Sequence, residues 1–113
     1  MSTAWLVVWT VAGCAAAGPL AAQAPAPDGK VLYEKNCRAC HGARGTPPAV
    51  LAKQQNIPRW DASFMADRTD DSLVAAIRNG GKNMKGFSGK LSPDEMAAIA
   101  GYIRELVPPK PAP

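Results

Sequence analysis

The chain has 113 residues, a formal net charge of +4 and a pI near 9.2, with 47% of its residues apolar. A basic excess this small argues against a nucleic-acid binder and suits weak, salt-sensitive docking to an acidic protein surface. Three cysteines, an odd number, exclude a fully paired disulfide framework.

Every charged side chain lies from Asp28 onward. This divides the chain into a leader and tether over 1–27, one domain over 28–107, and a Pro-rich tail over 108–113. Residues 4–13 (AWLVVWTVAG) form an apolar run. It is shorter than the roughly 20 residues of a membrane span and has the length of a secretory signal core. Three fates of the leader stay open. Val11-Ala12-Gly13-Cys14 resembles a bacterial lipobox, in which Cys14 is lipidated. Plain cleavage near Ala22-Gln23-Ala24 is the second, and a retained anchor the third. Each puts the domain in the periplasm or on the outer face of the cytoplasmic membrane. Ala21 to Pro27 read as an extended tether.

A domain of about 80 residues buries a thin core and usually needs a staple such as a metal or cofactor. Asp28 can cap a first helix that runs through Leu32 and Tyr33 into Cys37-Arg38-Ala39-Cys40-His41. Cys-x-x-Cys-His is the signature of covalent c-type haem attachment. Thiols three positions apart share a helix face, so both reach the vinyl groups on one porphyrin edge. His41 then stands where its imidazole can ligate the iron. A redox disulfide in a thioredoxin-like fold is the competing reading, but no strand–helix–strand pattern surrounds these residues.

At Gly29-x-x-x-Tyr33-x-x-x-Cys37-x-x-Cys40-His41 the chain resembles the class I cytochromes c. The resemblance implies an all-α fold, about four helices wrapped around one covalent haem c. It also implies that Gly29 and Tyr33 mark the crossing of the first and last helices.

Gly42 to Asn56 lack apolar periodicity and contain Gly45, Pro47 and Pro48, so they read mainly as loop. Ile57-Pro58-Arg59-Trp60 resembles the family's proximal step. There a proline carbonyl, of Pro58 or failing that Pro48, accepts a hydrogen bond from the second nitrogen of the ligand histidine. Trp60 reads as haem-packing, with its indole N–H available to a propionate. Asp61 to Asp67 form a short helix. Thr69 or Asp70 caps the next, Asp71 to Asn79, with Leu73, Val74 and Ile77 inward and Gly80-Gly81 as the stop.

One histidine exists in the chain, so a second protein ligand must be another residue type, for which methionine is the usual choice. Met65, Met84 and Met96 are the candidates, and only Met84 lies in an irregular, glycine-rich stretch. The run from Ile77 through Met84 and Phe87 to Leu91-Ser92 resembles the family's ligand loop. This implies Met84 as sixth ligand, 43 residues after His41, with Phe87 against the haem. Lys85 departs from the pattern, since relatives commonly carry proline there. Lys82, Lys85 and Lys90 are expected to ring the exposed haem edge and steer an acidic redox partner.

Ser92-Pro93-Asp94-Glu95 opens the last helix with an N-cap, a proline at the first position and a capping-box glutamate. Met96, Ile99, Ile103 and Leu106 recur at helical spacing, and Ala100, Gly101 and Tyr102 offer the small surface and aromatic ring of a close crossing. The implied work is one-electron transfer between redox proteins outside the cytoplasm, without catalysis. A haem subunit fixed in a respiratory, photosynthetic or dehydrogenase complex remains an alternative. So does a five-coordinate ligand-binding or enzymatic cytochrome in which Met84 does not bind.

Overall fold

The computed structural model describes residues 24–108, together with Gly13, Gly18 and Pro19. The expectations for Cys14 and the apolar run therefore lie outside the described residues, as does the tail beyond Pro108. Six helices follow in order: α1 Gly29–Asn36, α2 Arg38–His41, α3 Ala49–Gln55, α4 Ala62–Ala66, α5 Asp70–Asn79 and α6 Pro93–Leu106. No strand occurs among the described residues, so the chain is all-α as expected.

Four of the six starts are encoded by the residue before the helix. The side chains of Asp28, Asp61, Thr69 and Ser92 accept from the backbone N–H groups of Val31, Phe64, Ser72 and Glu95. Each bond satisfies a donor that the first helical turn leaves without a partner. At Ser92 the reciprocal bond also forms: the Ser92 N–H donates to Glu95 Oε2 at 2.8 Å, completing the capping box behind Pro93.

Helix α3 was not expected. Pro48 sits at its N-cap, and Ala49-Val-Leu-Ala-Lys-Gln-Gln are, apart from the valine, strong helix formers. It stops where Asn56 turns left-handed (φ 54°), and the Ile57 N–H closes back on the Ala52 carbonyl at 3.1 Å.

Helix α6 is the axis of the core and packs on both α1 and α5. Tyr33 and Ile99 are fully buried, with Met65, Leu73, Ile77, Met96, Ala100 and Ile103 around them. The α1–α6 crossing is close because Gly29 has no side chain: a Cβ there would stand 2.1 Å from the Ala98 carbonyl oxygen. Gly101 plays no such part. It is exposed, and a Cβ on it would meet nothing within 4 Å. The close surface of α6 comes from Ala98 and Tyr102, whose ring meets Tyr33 edge-on at 5.3 Å.

Arg104 holds the far end of the core. Its guanidinium donates to Asp70 Oδ1 (2.8 Å), to the Met65 carbonyl (3.3 Å) and to the Arg68 carbonyl. One side chain on α6 thus gathers the end of α4 and the start of α5.

Candidate functional site

Helix α1 breaks at Cys37 (φ −118°, ψ −36°), yet its turn is carried on. The Cys37 N–H bonds back to the Tyr33 carbonyl (2.8 Å), and the N–H groups of Cys40 and His41 bond to the Cys37 carbonyl at 3.2 and 3.0 Å. Cys37, Cys40 and His41 therefore stand on one short helical turn, with Cys37 buried and Cys40 exposed. Burial, with Cys40 beside it, pushes the Cys37 thiol up to about 11. The Cys37 sulfur in such surroundings is an apolar group held out of water.

Tyr33 anchors this turn from beneath. Its hydroxyl donates to the Gly42 carbonyl at 2.6 Å, gripping the backbone directly after His41. Burial holds the phenol proton in place, pushing its pKa up to about 12.

The His41 ring stacks on Trp60, with centroids 4.4 Å apart and planes 23° from parallel. Trp60 is fixed in turn by its backbone N–H, which donates to the Gly45 carbonyl at 2.8 Å. Gly45 has φ of +73°, and a Cβ on it would press within 2.7 Å of the Trp60 ring. Burial lowers the His41 pKa, favouring the neutral imidazole that ligates metals. The expected proline bond is not made. Pro58 is exposed, and neither its carbonyl nor that of Pro48 accepts from His41, whose Nδ1 is buried without a partner. Trp60 rather than a proline is what this chain sets against the ring.

Across the domain, the described methionines divide sharply. Met65 and Met96 are 3% and 2% exposed and belong to the core, whereas Met84 is half-buried in the loop after α5. That loop is tied down by backbone bonds, Phe87 N–H to the Ile77 carbonyl and Gly81 N–H to the Met84 carbonyl, both 2.9 Å. A third tie comes from far away in sequence: Asn83 Nδ2 donates to the Gln55 carbonyl at 2.9 Å, joining the loop to the end of α3. Phe87 is half-buried against the core, and Lys82, Lys85 and Lys90 are all exposed.

Two contacts escape sequence reasoning altogether, Tyr33 to Gly42 and Asn83 to Gln55. The first joins a helix to a residue beyond the next one. The second depends on α3, which the prolines of its flank conceal. Trp60 beside His41 had a partial signal, as the only tryptophan outside the leader.

The residues suit a covalently held haem. Two thiols stand on one helical turn with an imidazole that burial keeps neutral, and its buried Nδ1 without a partner is unique among the described side chains. Comparison with known proteins agrees. Residues 24–103 match the family model described as cytochrome C oxidase, cbb3-type, subunit III. Cytochrome c6 of Limnospira maxima is 32% identical over 80 residues, covering 66% of this chain and 85% of that protein. Cytochrome c6 of Chlorolobion braunii is 32% identical over 78 residues, covering 66% and 83%. Among solved structures, the KustC0563 c-type cytochrome superposes with a TM-score of 0.66 at 29% identity, over 71% of this chain and 98% of that one. The match spans every helix but the final turn of α6, and the chain belongs to this family: it is a small monohaem class I c-type cytochrome that carries one covalent haem c and serves in electron transfer.

Proposed function

We propose that the protein is a His/Met-ligated one-electron carrier that shuttles between redox proteins outside the cytoplasm. Cys37 and Cys40 would hold the macrocycle through thioethers, and His41 and Met84 would be its two protein ligands. Bound haem c supplies one-electron exchange between Fe(III) and Fe(II), and a thioether ligand favours the ferrous state and raises the potential. The observation that carries the reading is the division of the methionines: with Met65 and Met96 sealed in the core, Met84 is the thioether left to bind. Trp60 and Phe87, both half-buried against the core, would pack on the haem and exclude water. Ligation by both His41 and Met84 would leave no open position for a substrate, which argues against enzymatic work.

Charge distribution supports docking. Residues 35–60 and 72–93, which hold His41 and Met84, contain nine of the 13 Lys and Arg residues and no acid. Lys82, Lys85 and Lys90 lie in the second of these segments and offer cations to an acidic partner. Export through the leader, with or without a lipid on Cys14, accounts for the apolar N-terminal run. Mass spectrometry of the mature N-terminus reads haem mass, cleavage and lipid together.

Sulfur–iron ligation gives ferric haem a weak far-red charge-transfer band, which Met84→Ala is expected to abolish while lowering the potential. A band that survives the substitution overturns the assignment. A second reading is favoured by the matched family's description as an oxidase subunit: the same haem fixed in a respiratory complex. Co-purification with a membrane complex after detergent extraction would support it, and a free monomer in the soluble extract the diffusing carrier.

A further inference from the structure

We infer that Asn83 is a positioning residue for the distal ligand, and that its bond to the Gln55 carbonyl clamps the Met84 loop shut. The inference rests on the reading of Met84 as ligand. Asn83 is adjacent to Met84, and its Nδ2 reaches across 28 positions of sequence to the carbonyl that ends α3. The other ties of the loop, at Gly81 and Phe87, are backbone bonds within the loop or to the helix that leads into it. They shape the loop but do not hold it against another part of the molecule. Asn83 alone does so among the side chains with described bonds in residues 80–89.

The clamp has a particular value here. Lys85 follows Met84 directly, where a proline would stiffen the backbone. A loop without that stiffening opens more readily, and each opening releases the thioether from iron. The acceptor is also well chosen. It lies at the C-terminus of α3, where the last carbonyls lack partners within the helix and the dipole favours a donor. The Asn56 N–H, next in the chain, is occupied with the Ala52 carbonyl, and α3 is closed behind it by Ile57. Gln55 thus offers its carbonyl from a rigid end.

The test measures how often the loop opens. Imidazole added to the ferric holoprotein competes for the distal position, and its apparent affinity scales with the fraction of open loop. A hydrogen bond of ordinary strength sets that fraction to within about five-fold. Asn83→Asp, which keeps the shape but loses the donor, and Asn83→Ala are therefore expected to tighten apparent imidazole binding by about five-fold and to lower the reduction potential. Gln54→Ala, an exposed change one residue before the acceptor, is expected to leave both unchanged. Unchanged affinity and potential in both Asn83 variants, with the far-red band present in the unaltered protein, overturns the clamp. Absence of that band in the unaltered protein overturns the Met84 ligation itself. A fall in melting temperature without any change in imidazole affinity assigns Asn83 to stability alone and also refutes the inference.

Discussion

Gly29→Ala and Gly101→Ala make the same chemical change on two crossing partners, and the fold demands opposite results. At Gly29 the added methyl would stand 2.1 Å from the Ala98 oxygen, 2.7 Å from its carbon and 3.2 Å from Tyr102 Cβ. Ordinary carbon–oxygen contact begins near about 3.3 Å, so the helices must part by roughly 1 Å. The obstacle is backbone, which cannot rotate aside. Parting them loosens the layer that holds Tyr33 and Ile99, so overpacking costs about 2–3 kcal/mol. For a domain of this size that lowers the melting temperature by about 10–20 °C. At Gly101 the methyl meets nothing within 4 Å in the middle of a 14-residue helix. Removing a helical glycine there stabilises by about 0.5–1 kcal/mol, a rise of about 4 °C. Thermal unfolding of the two ferric holoproteins by circular dichroism reads both. Equal shifts, or a melting temperature for Gly29→Ala within about 2 °C of the unaltered protein, would refute the crossing geometry.

Arg104→Ala strips a side-chain clamp from the Met65 and Arg68 carbonyls and from Asp70, at a cost of about 2 kcal/mol seen in denaturant melts, and Arg104→Lys recovers only part because it lacks the fork. Tyr33→Phe removes the bond to Gly42 and is expected to cost about 1 kcal/mol at neutral pH. The same tyrosine gives a pH signature. Burial pushes its folded pKa from the ordinary 10.0 up to about 12, so the unfolded chain loses that proton first. Its contribution is intact below pH 10 and fades as pH rises from there to 12, by up to about 2 kcal/mol, a slope that the phenylalanine variant lacks. Replacing Lys82, Lys85 and Lys90 together by glutamate is expected to slow electron transfer to an acidic partner protein and flatten its dependence on ionic strength, whereas a rate indifferent to salt in the unaltered protein would remove the docking role.

Sequence alone determined what is local. A cap is a bond across three residues, so Asp28 and Ser92 announce their helices wherever the rest of the chain goes. Asp61, read as the first residue of its helix, is the cap before it, and of Thr69 and Asp70 it is Thr69 that caps α5. The cysteine spacing is local too, because one porphyrin edge must be met within one helical turn. The apolar periods of α5 and α6 named Leu73, Val74, Ile77, Met96, Ile99, Ile103 and Leu106; five of these are buried, while Val74 and Leu106 are half-buried against the core. Helix α3 was hidden because its signal is intrinsic propensity in seven residues, outweighed on paper by the glycine and prolines before it. Gly29 was expected at the helix crossing and lies there, but Gly101 was offered as part of the same close surface, and only what faces each glycine separates the two. The tertiary structure decided that, and with it the stacking of Trp60 on His41, the threefold grip of Arg104 and the reach of Asn83 to Gln55. Each of these joins residues that no local spacing relates, and their energy exists only once the helices have already met.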